Sequence, residues 1–253
     1  MIRIYLLDFN RAEAEENHFS ALPDFIKKTK NPPLRRERIF SYMLLEYALK
    51  EYYEEKNMLE SEEKDYFYLQ KQCVINELRG SLSSPDFETL ERDEYGRPYF
   101  PGVNFDFNLS HDGEMAALVI SDQGRVGIDI EKHSENVSTR LYKKLDSYYE
   151  SNCLLNITDR PDSLDARIKT LAYSNEKGIL EAHIDIEKAH DAIDFFTRWT
   201  TVESISKADG RGLALFSRID FSINDFNLLR LSIKDGGANT YSLSISERRI
   251  KIN

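Results

Sequence analysis

Cysteine is nearly absent from the chain: Cys73 and Cys153 are its only two, far apart and without metal-ligand spacing. A disulfide scaffold or a zinc ribbon is therefore excluded, and a reducing cytoplasm is the compartment expected. Long apolar runs are missing as well. No stretch of about 18 residues is free of Asp, Glu, Lys and Arg, and the acidic opening MIRIYLLDFN does not predict a secretory leader, so the expectation is no membrane partner. Basic residues are in deficit, 34 against 44 acidic ones for a formal charge of -10, which disfavours a nucleic-acid partner because phosphate attraction needs a broad basic surface. The chain lacks a Walker glycine-lysine loop, a Gly-x-Ser-x-Gly elbow, a His-Glu-x-x-His helix and a Gly-x-Gly-x-x-Gly turn. Its five histidines, His18, His111, His133, His183 and His190, are too scattered for a zinc cluster.

What remains is a 253-residue chain with 41% hydrophobic residues, enough for a sizeable core in one large or two small domains. No Gly/Ser-rich or Pro-rich linker marks a boundary. Residues 1–8 alternate Ile2, Ile4 and Leu6 like a strand, although Tyr5 and Leu7 make the opposite face apolar too. Residues 35–53 carry the paired apolar spacing of a helix, and 59–78 predict a second. Short strands are expected at 105–109, 115–120 and 126–131, separated by Asp112-Gly113 and Asp122-Gln-Gly124, as a meander. Helical periodicity is read from Ser163 to about Asp209, as two helices stopped at Gly210-Arg211-Gly212, and strands at 219–223, 228–233 and 241–245 complete the pattern around an Asp235-Gly236-Gly237 turn. Strands, helices, strands, helices and strands in that order predict an α+β fold with antiparallel sheet.

Within this frame several residues could carry chemistry. In Val126-Gly-Ile-Asp-Ile-Glu131, period-two geometry puts Asp129 and Glu131 on one face of a strand, with Ile128 and Ile130 on the core-directed face. Two such carboxylates can converge on a hard cation such as magnesium; taken alone, a solvated acidic edge strand is the commoner arrangement. Glu203 and Lys207 stand four apart in a helical segment, suited to a third metal ligand and a phosphate cation, or to an ordinary surface pair. Ser110 and His111 end a strand in a polar turn and could donate to a phosphate, or merely satisfy local backbone. Tyr95-Gly-Arg97-Pro98-Tyr99 is a rigid turn suited to a flat base and equally to being only a turn. Six cations fall within residues 27–38, as a phosphate pocket or as a solvated run.

The ordered set Gly96-Arg-Pro98, Phe107-Asn-Leu-Ser-His111, Val126-Gly-Ile-Asp-Ile-Glu-Lys132 and Trp199-Thr-x-x-Glu-Ser-x-x-Lys207-x-x-Gly-x-Gly-Leu213 resembles the 4'-phosphopantetheinyl transferases of the Sfp type. The resemblance implies a pseudo-dimer of two similar α+β halves: residues 1–125 with the contacts to the coenzyme A nucleotide, and 126–253 with the metal ligands and the catalytic helix. It implies a magnesium-dependent, cytoplasmic, monomeric enzyme. The reaction would move the phosphopantetheine arm of coenzyme A to a serine of an apo acyl or peptidyl carrier protein, releasing adenosine 3',5'-bisphosphate. Asp129, Glu131 and Glu203 correspond to magnesium ligands, Lys207 to the pyrophosphate cation, His111 to the histidine at the 3'-phosphate and Arg97-Pro98 to the turn beside the adenine. Lys28 and Arg36 are chosen for further phosphate contacts, with Lys27, Lys30 and Arg35 as competitors, and Glu176 for the general base.

The chain departs from the family in two places. Val202 stands where a lysine usually precedes the metal-binding glutamate, a change that either leaves a vacancy which Arg198, one helical turn earlier, could fill in part or marks decay of the site. The long interval from Glu131 to Glu176 implies an insertion within 134–170. A weakened homologue that binds coenzyme A or a carrier protein without turnover is the alternative these departures raise; an unrelated acidic α+β interaction protein is a third.

Overall fold

The computed structural model describes residues 1–10, 26, 28–62, 89–151, 163–189, 194–211, 225–235 and 239–248, with 57–62, 150 and 151 described as helix backbone only. Strand β1, Ile2–Asp8, is apolar on both faces because it separates two cores. Ile2, Ile4 and Leu6 enter one, Tyr5 and Leu7 the other. Helix α1, Pro32–Glu62, opens with prolines in its first turn, where missing N–H groups cost nothing, and Asn31 Oδ1 accepts from Leu34 N at 3.2 Å. Its stripe of Ile39, Phe40, Leu44, Leu45, Ala48 and Tyr52 packs with Tyr5 and Leu7. The helix absorbs the start of the one expected at 59–78; residues 63–78 lie outside the described residues.

A short hairpin of β2, Glu91–Arg92, and β3, Pro98–Tyr99, precedes the three expected strands β4, Asp106–Asp112, β5, Met115–Ser121, and β6, Val126–Lys132. The meander is corrected: β4 pairs with β5, but β6 leaves that sheet and pairs with the strand at Thr240–Arg248. Helix α2, Thr139–Ser151, lies inside the expected insertion; 152–162 falls outside the described residues. The helical reading of 163–209 is corrected over its first part. Here the chain forms β7, Ala166–Ser174, β8, Gly178–Glu181, and β9, Asp185–Lys188, and only then helix α3, Phe195–Asp209. The cause is non-local: β7 pairs in parallel with β1, from Ile2 opposite Ala166 to Asp8 opposite Ala172. Arg167 also bonds Glu55 at 3.0 Å and Lys169 bonds Glu51, both on α1. Ile168 enters one core while Leu171 enters the other. Helix α3 is capped by Asp194, which accepts from Thr197 N, and it ends as expected at Gly210, whose φ of 91° is left-handed.

Strands β10, Phe226–Lys234, and β11, Thr240–Arg248, match the expected tail, while 219–223 and 236–238 lie outside the described residues. The first sheet runs β4-β5-β1-β7-β8 and is mixed; the second runs β6-β11-β10-β9 and is antiparallel. The architecture is α+β. Helix α1 covers one face of the first sheet, and the two sheets share a core of Ile4, Leu6, Val119, Ile128, Leu243 and Ile245. Helices α2 and α3 cover the outer side of the second sheet through Leu145, Tyr149, Val202 and Phe226. Strands β7 and β8, although they follow residue 126, complete the first sheet. Among the described residues no helix is long and apolar enough to cross a membrane.

Candidate functional site

The edge strands β4 and β6 belong to different sheets and face each other, joined by side chains rather than by a backbone ladder. Asp106 Oδ2, Asn108 Oδ1, Ser110 Oγ and Asp112 Oδ2 accept from the backbone N–H groups of Val126, Ile128, Ile130 and Lys132 at 2.8, 3.0, 3.4 and 2.7 Å. Both series advance by two residues, because alternate side chains of a strand share a face and alternate N–H groups of its neighbour point the same way. The polar repeat Asp-x-Asn-x-Ser-x-Asp is what fixes β6 against the first sheet.

Helix α3 then reaches β6 at backbone distance. A Cβ on Gly127 would lie 2.0 Å from Ser204 O and 2.5 Å from Ala208 N, so only glycine admits the helix here. Small hydroxyls hold the contact on β11: Thr200 with Ser244 at 2.7 Å and Ser204 with Ser246 at 2.8 Å. This seating delivers Lys207 to the acidic strand. Its Nζ donates to Asp129 Oδ1 at 2.6 Å, Ile128 O at 3.1 Å and Ser110 Oγ at 3.2 Å, using all three donors. Ser110 Oγ in turn donates to Asp129 Oδ1 at 3.0 Å. Residues expected to act together from three distant segments thus form one hydrogen-bonded cluster.

Asp129 is 4% exposed, and its second oxygen, Oδ2, is buried without a hydrogen-bond partner. Burial raises its pKa although Lys207 opposes the shift. Glu131 is pushed up to about 8, first by burial and then by the negative charges of Asp129, Asp112 and Glu203. Glu203 is likewise raised, by burial and by Asp129. The carboxylates therefore sense one another, and the surplus of negative charge with an open buried oxygen suits a hard cation with oxygen ligands. The side chains are not drawn into a closed cage: among the described residues no three of His, Cys, Asp and Glu form a ready-made metal-binding group. The acidic edge strand is consequently not the solvated one considered above, since α3 covers it.

His111 follows on β4. Its Nδ1 lies 3.2 Å from Glu37 Oε2 without hydrogen-bond geometry, and its pKa is lowered to about 4 by burial, Lys207 and Arg38. Arg97 is 9% exposed, its guanidinium donating to the carbonyls of Lys207, Phe107 and Val126 and to the carboxylate of Asp106. It ties β4, β6 and α3 together beneath the cluster, and Pro98 beside it begins β3 opposite Arg92. Arg36 donates to Phe9 O at 2.8 Å and stacks over Phe9 and Phe40. Lys28 is exposed ahead of α1, and Lys27 lies outside the described residues.

Glu176 is not brought to this cluster. It occupies the exposed turn between β7 and β8, across the first sheet from β4 by three to four strand spacings, roughly 15–19 Å at the usual inter-strand distance. The expectation for Val202 and Arg198 is also corrected. Val202 is fully buried among Leu145, Tyr149, Ile205 and Phe226, so position 202 turns away from the carboxylates. Arg198 bonds Asp146 at 3.0 Å and lies 4.2 Å over the Tyr149 ring, holding α2 to α3. Three residues with a part in the site were passed over in the sequence: Glu37, Asp106 and Asp112. The two aspartates carried a signal in the period-two polar repeat; Glu37 carried none.

No family model matches the chain. A 46-residue stretch, 17% of the chain, is 44% identical to a protein of Haemophilus influenzae named "Putative 4'-phosphopantetheinyl transferase", covering 20% of that protein. A longer stretch of 156 residues, 60% of the chain, is 27% identical to a phosphopantetheinyl transferase of Thraustochytrium sp., covering 48% of it. The chain thus spans about half or less of the length of these curated relatives.

Proposed function

We propose, from the premise that the chain is related to the phosphopantetheinyl transferase superfamily, that it transfers the 4'-phosphopantetheine arm of coenzyme A to a serine of an apo acyl or peptidyl carrier protein. The observation carrying this reading is the Ser110–Asp129–Lys207 cluster, in which three motif residues from β4, β6 and α3 bond one another beside Glu131 and Glu203. A weakened binder has no use for several repelling carboxylates held in a buried corner at such electrostatic cost. The two-halved arrangement is part of the same reading, supported by the presence of a helix-covered outer face on each sheet, with β7 and β8 crossing from the part after residue 126 to complete the first sheet.

In the reaction the carrier serine oxygen forms a bond to the phosphorus bearing the pantetheine arm. The pyrophosphate P–O bond breaks, and adenosine 3',5'-bisphosphate leaves with the electron pair. Magnesium, when bound, would neutralise pyrophosphate charge, and Asp129 through its open Oδ2, with Glu131 and Glu203, would hold it. Lys207 is fixed by Asp129 Oδ1 and Ser110, so its charge is positioned without reorganisation. His111, Lys28 and Arg36 would receive the nucleotide phosphates, and Arg97-Pro98 would set the turn beside the adenine. The serine proton would pass to water, because Glu176 stands at the far edge of the first sheet.

The test is incubation of the full chain with coenzyme A, magnesium and an apo carrier protein, followed by intact-mass measurement of the carrier. Addition of one phosphopantetheine arm is expected; an unmodified carrier across fatty-acid, polyketide and peptide-synthetase types would overturn the reading.

A further inference from the structure

The imidazole expected to meet the 3'-phosphate already has an anion against it. Glu37 reaches from α1 so that its Oε2 lies 3.2 Å from His111 Nδ1, the atom buried with no hydrogen-bond partner. Glu37 and His111 are both largely enclosed, with side chains 23% and 26% exposed. Other charges face this pair from both sides. Asp112 and Glu114, on and just after β4, add negative charge at Glu37, whereas Arg36 opposes it; at His111 the cations Lys207 and Arg38 face Asp112. Nearby cations are engaged: Lys207 with Asp129, Arg36 with Phe9 O, Arg38 with Thr29 at 2.9 Å. A doubly charged phosphate approaching His111 therefore meets a carboxylate 3.2 Å from the ring.

We propose that Glu37 sets the nucleotide specificity of the site by opposing the 3'-phosphate at His111, so that the chain distinguishes coenzyme A only weakly from 3'-dephospho-coenzyme A. This inference rests on the transferase reading above. Glu37 competes for the imidazole and repels the phosphate, and the same repulsion speeds departure of adenosine 3',5'-bisphosphate.

The full chain and its Glu37→Gln variant are compared for kcat/KM with coenzyme A and with 3'-dephospho-coenzyme A. Calorimetric binding of adenosine 3',5'-bisphosphate and of adenosine 5'-monophosphate is measured alongside. The ratio of the two specificity constants is expected to rise at least about tenfold in Glu37→Gln, with the bisphosphate binding tighter by a similar factor relative to the monophosphate. Adding His111→Ala should remove that gain. A ratio that stays within about twofold in both measurements overturns the role of Glu37 and leaves the transferase reading standing. Absence of transfer with either substrate, with binding of neither nucleotide, overturns the transferase reading and the inference together. If transfer fails but the nucleotides bind, the change in relative affinity of the bisphosphate decides the inference.

Discussion

Lys207 Nζ lies 2.6 Å from Asp129 Oδ1, joining helix α3 to strand β6 through a carboxylate that is 4% exposed. Removing one member of such a pair leaves the other charge enclosed, which costs more than the pair contributes. Asp129→Asn should therefore lower transfer by at least about 100-fold and lower unfolding free energy by about 2–3 kcal/mol. The double variant Asp129→Asn with Lys207→Met should recover most of the stability and none of the transfer. Urea unfolding and carrier-mass assays separate the two effects; a double variant that recovers neither would show that the pair is not what fastens α3.

Gly127 makes a sharper structural demand. Any side chain there meets Ser204 O and Ala208 N well inside contact distance, and neither is a flexible group that can turn aside. Gly127→Ala is expected to cost about 3 kcal/mol and to move Glu203 and Lys207 off the acidic strand, so transfer falls even where the protein is fully folded. Thermal unfolding together with turnover at low temperature checks this. Wild-type stability in the variant would mean that α3 does not approach β6 so closely.

These contacts show what the sequence could disclose. Strand β1, helix α1, the strands β4, β5 and β6 and the end of α3 at Gly210 follow from periodicity and turn chemistry carried within a few residues, whereas the sheet that β6 joins does not. Strands β7 to β9 do not, because β7 owes its form to pairing with β1 and to bonds from Arg167 and Lys169 to α1, partners more than 100 positions away. The carboxylate pair on β6 was legible as a face, but its burial depended on the approach of α3 over Gly127. Arg97 reads locally as a cation in a surface turn, and only folding turns it toward three carbonyls.

Val202 illustrates the same limit and yields a prediction. Since it is buried between α2, α3 and β10, Val202→Lys should not supply a phosphate cation. It should destabilise the protein by about 3 kcal/mol or more by burying an unpaired ammonium. Arg198→Ala should cost about 1 kcal/mol through loss of Asp146 and the Tyr149 ring, with no change in the requirement for coenzyme A beyond that expected from stability. A gain of turnover in Val202→Lys would reverse the orientation assigned to this helix face.

His111 gives the fold a pH dependence of definite sign. Burial, then Lys207 and Arg38, lower its pKa to about 4, whereas in the unfolded chain it lies near the ordinary value of about 6.5. The unfolded chain therefore takes up the proton first as the pH falls. The contribution is fully present above about pH 6.5 and is lost progressively toward about pH 4, by up to about 3 kcal/mol across that window. Glu37 works in the opposite direction, since burial and Asp112 raise its carboxyl, so the comparison is made in the Glu37→Gln background. There, His111→Asn should flatten the decline in unfolding free energy between about pH 7 and pH 4 by about 1–3 kcal/mol, measured by urea titration at each pH. Carboxylates that titrate in the same range contribute equally to both proteins and cancel in the difference. Parallel curves for the two would mean that the imidazole takes up its proton in the fold as readily as in the unfolded chain, contrary to its enclosed position beside Lys207.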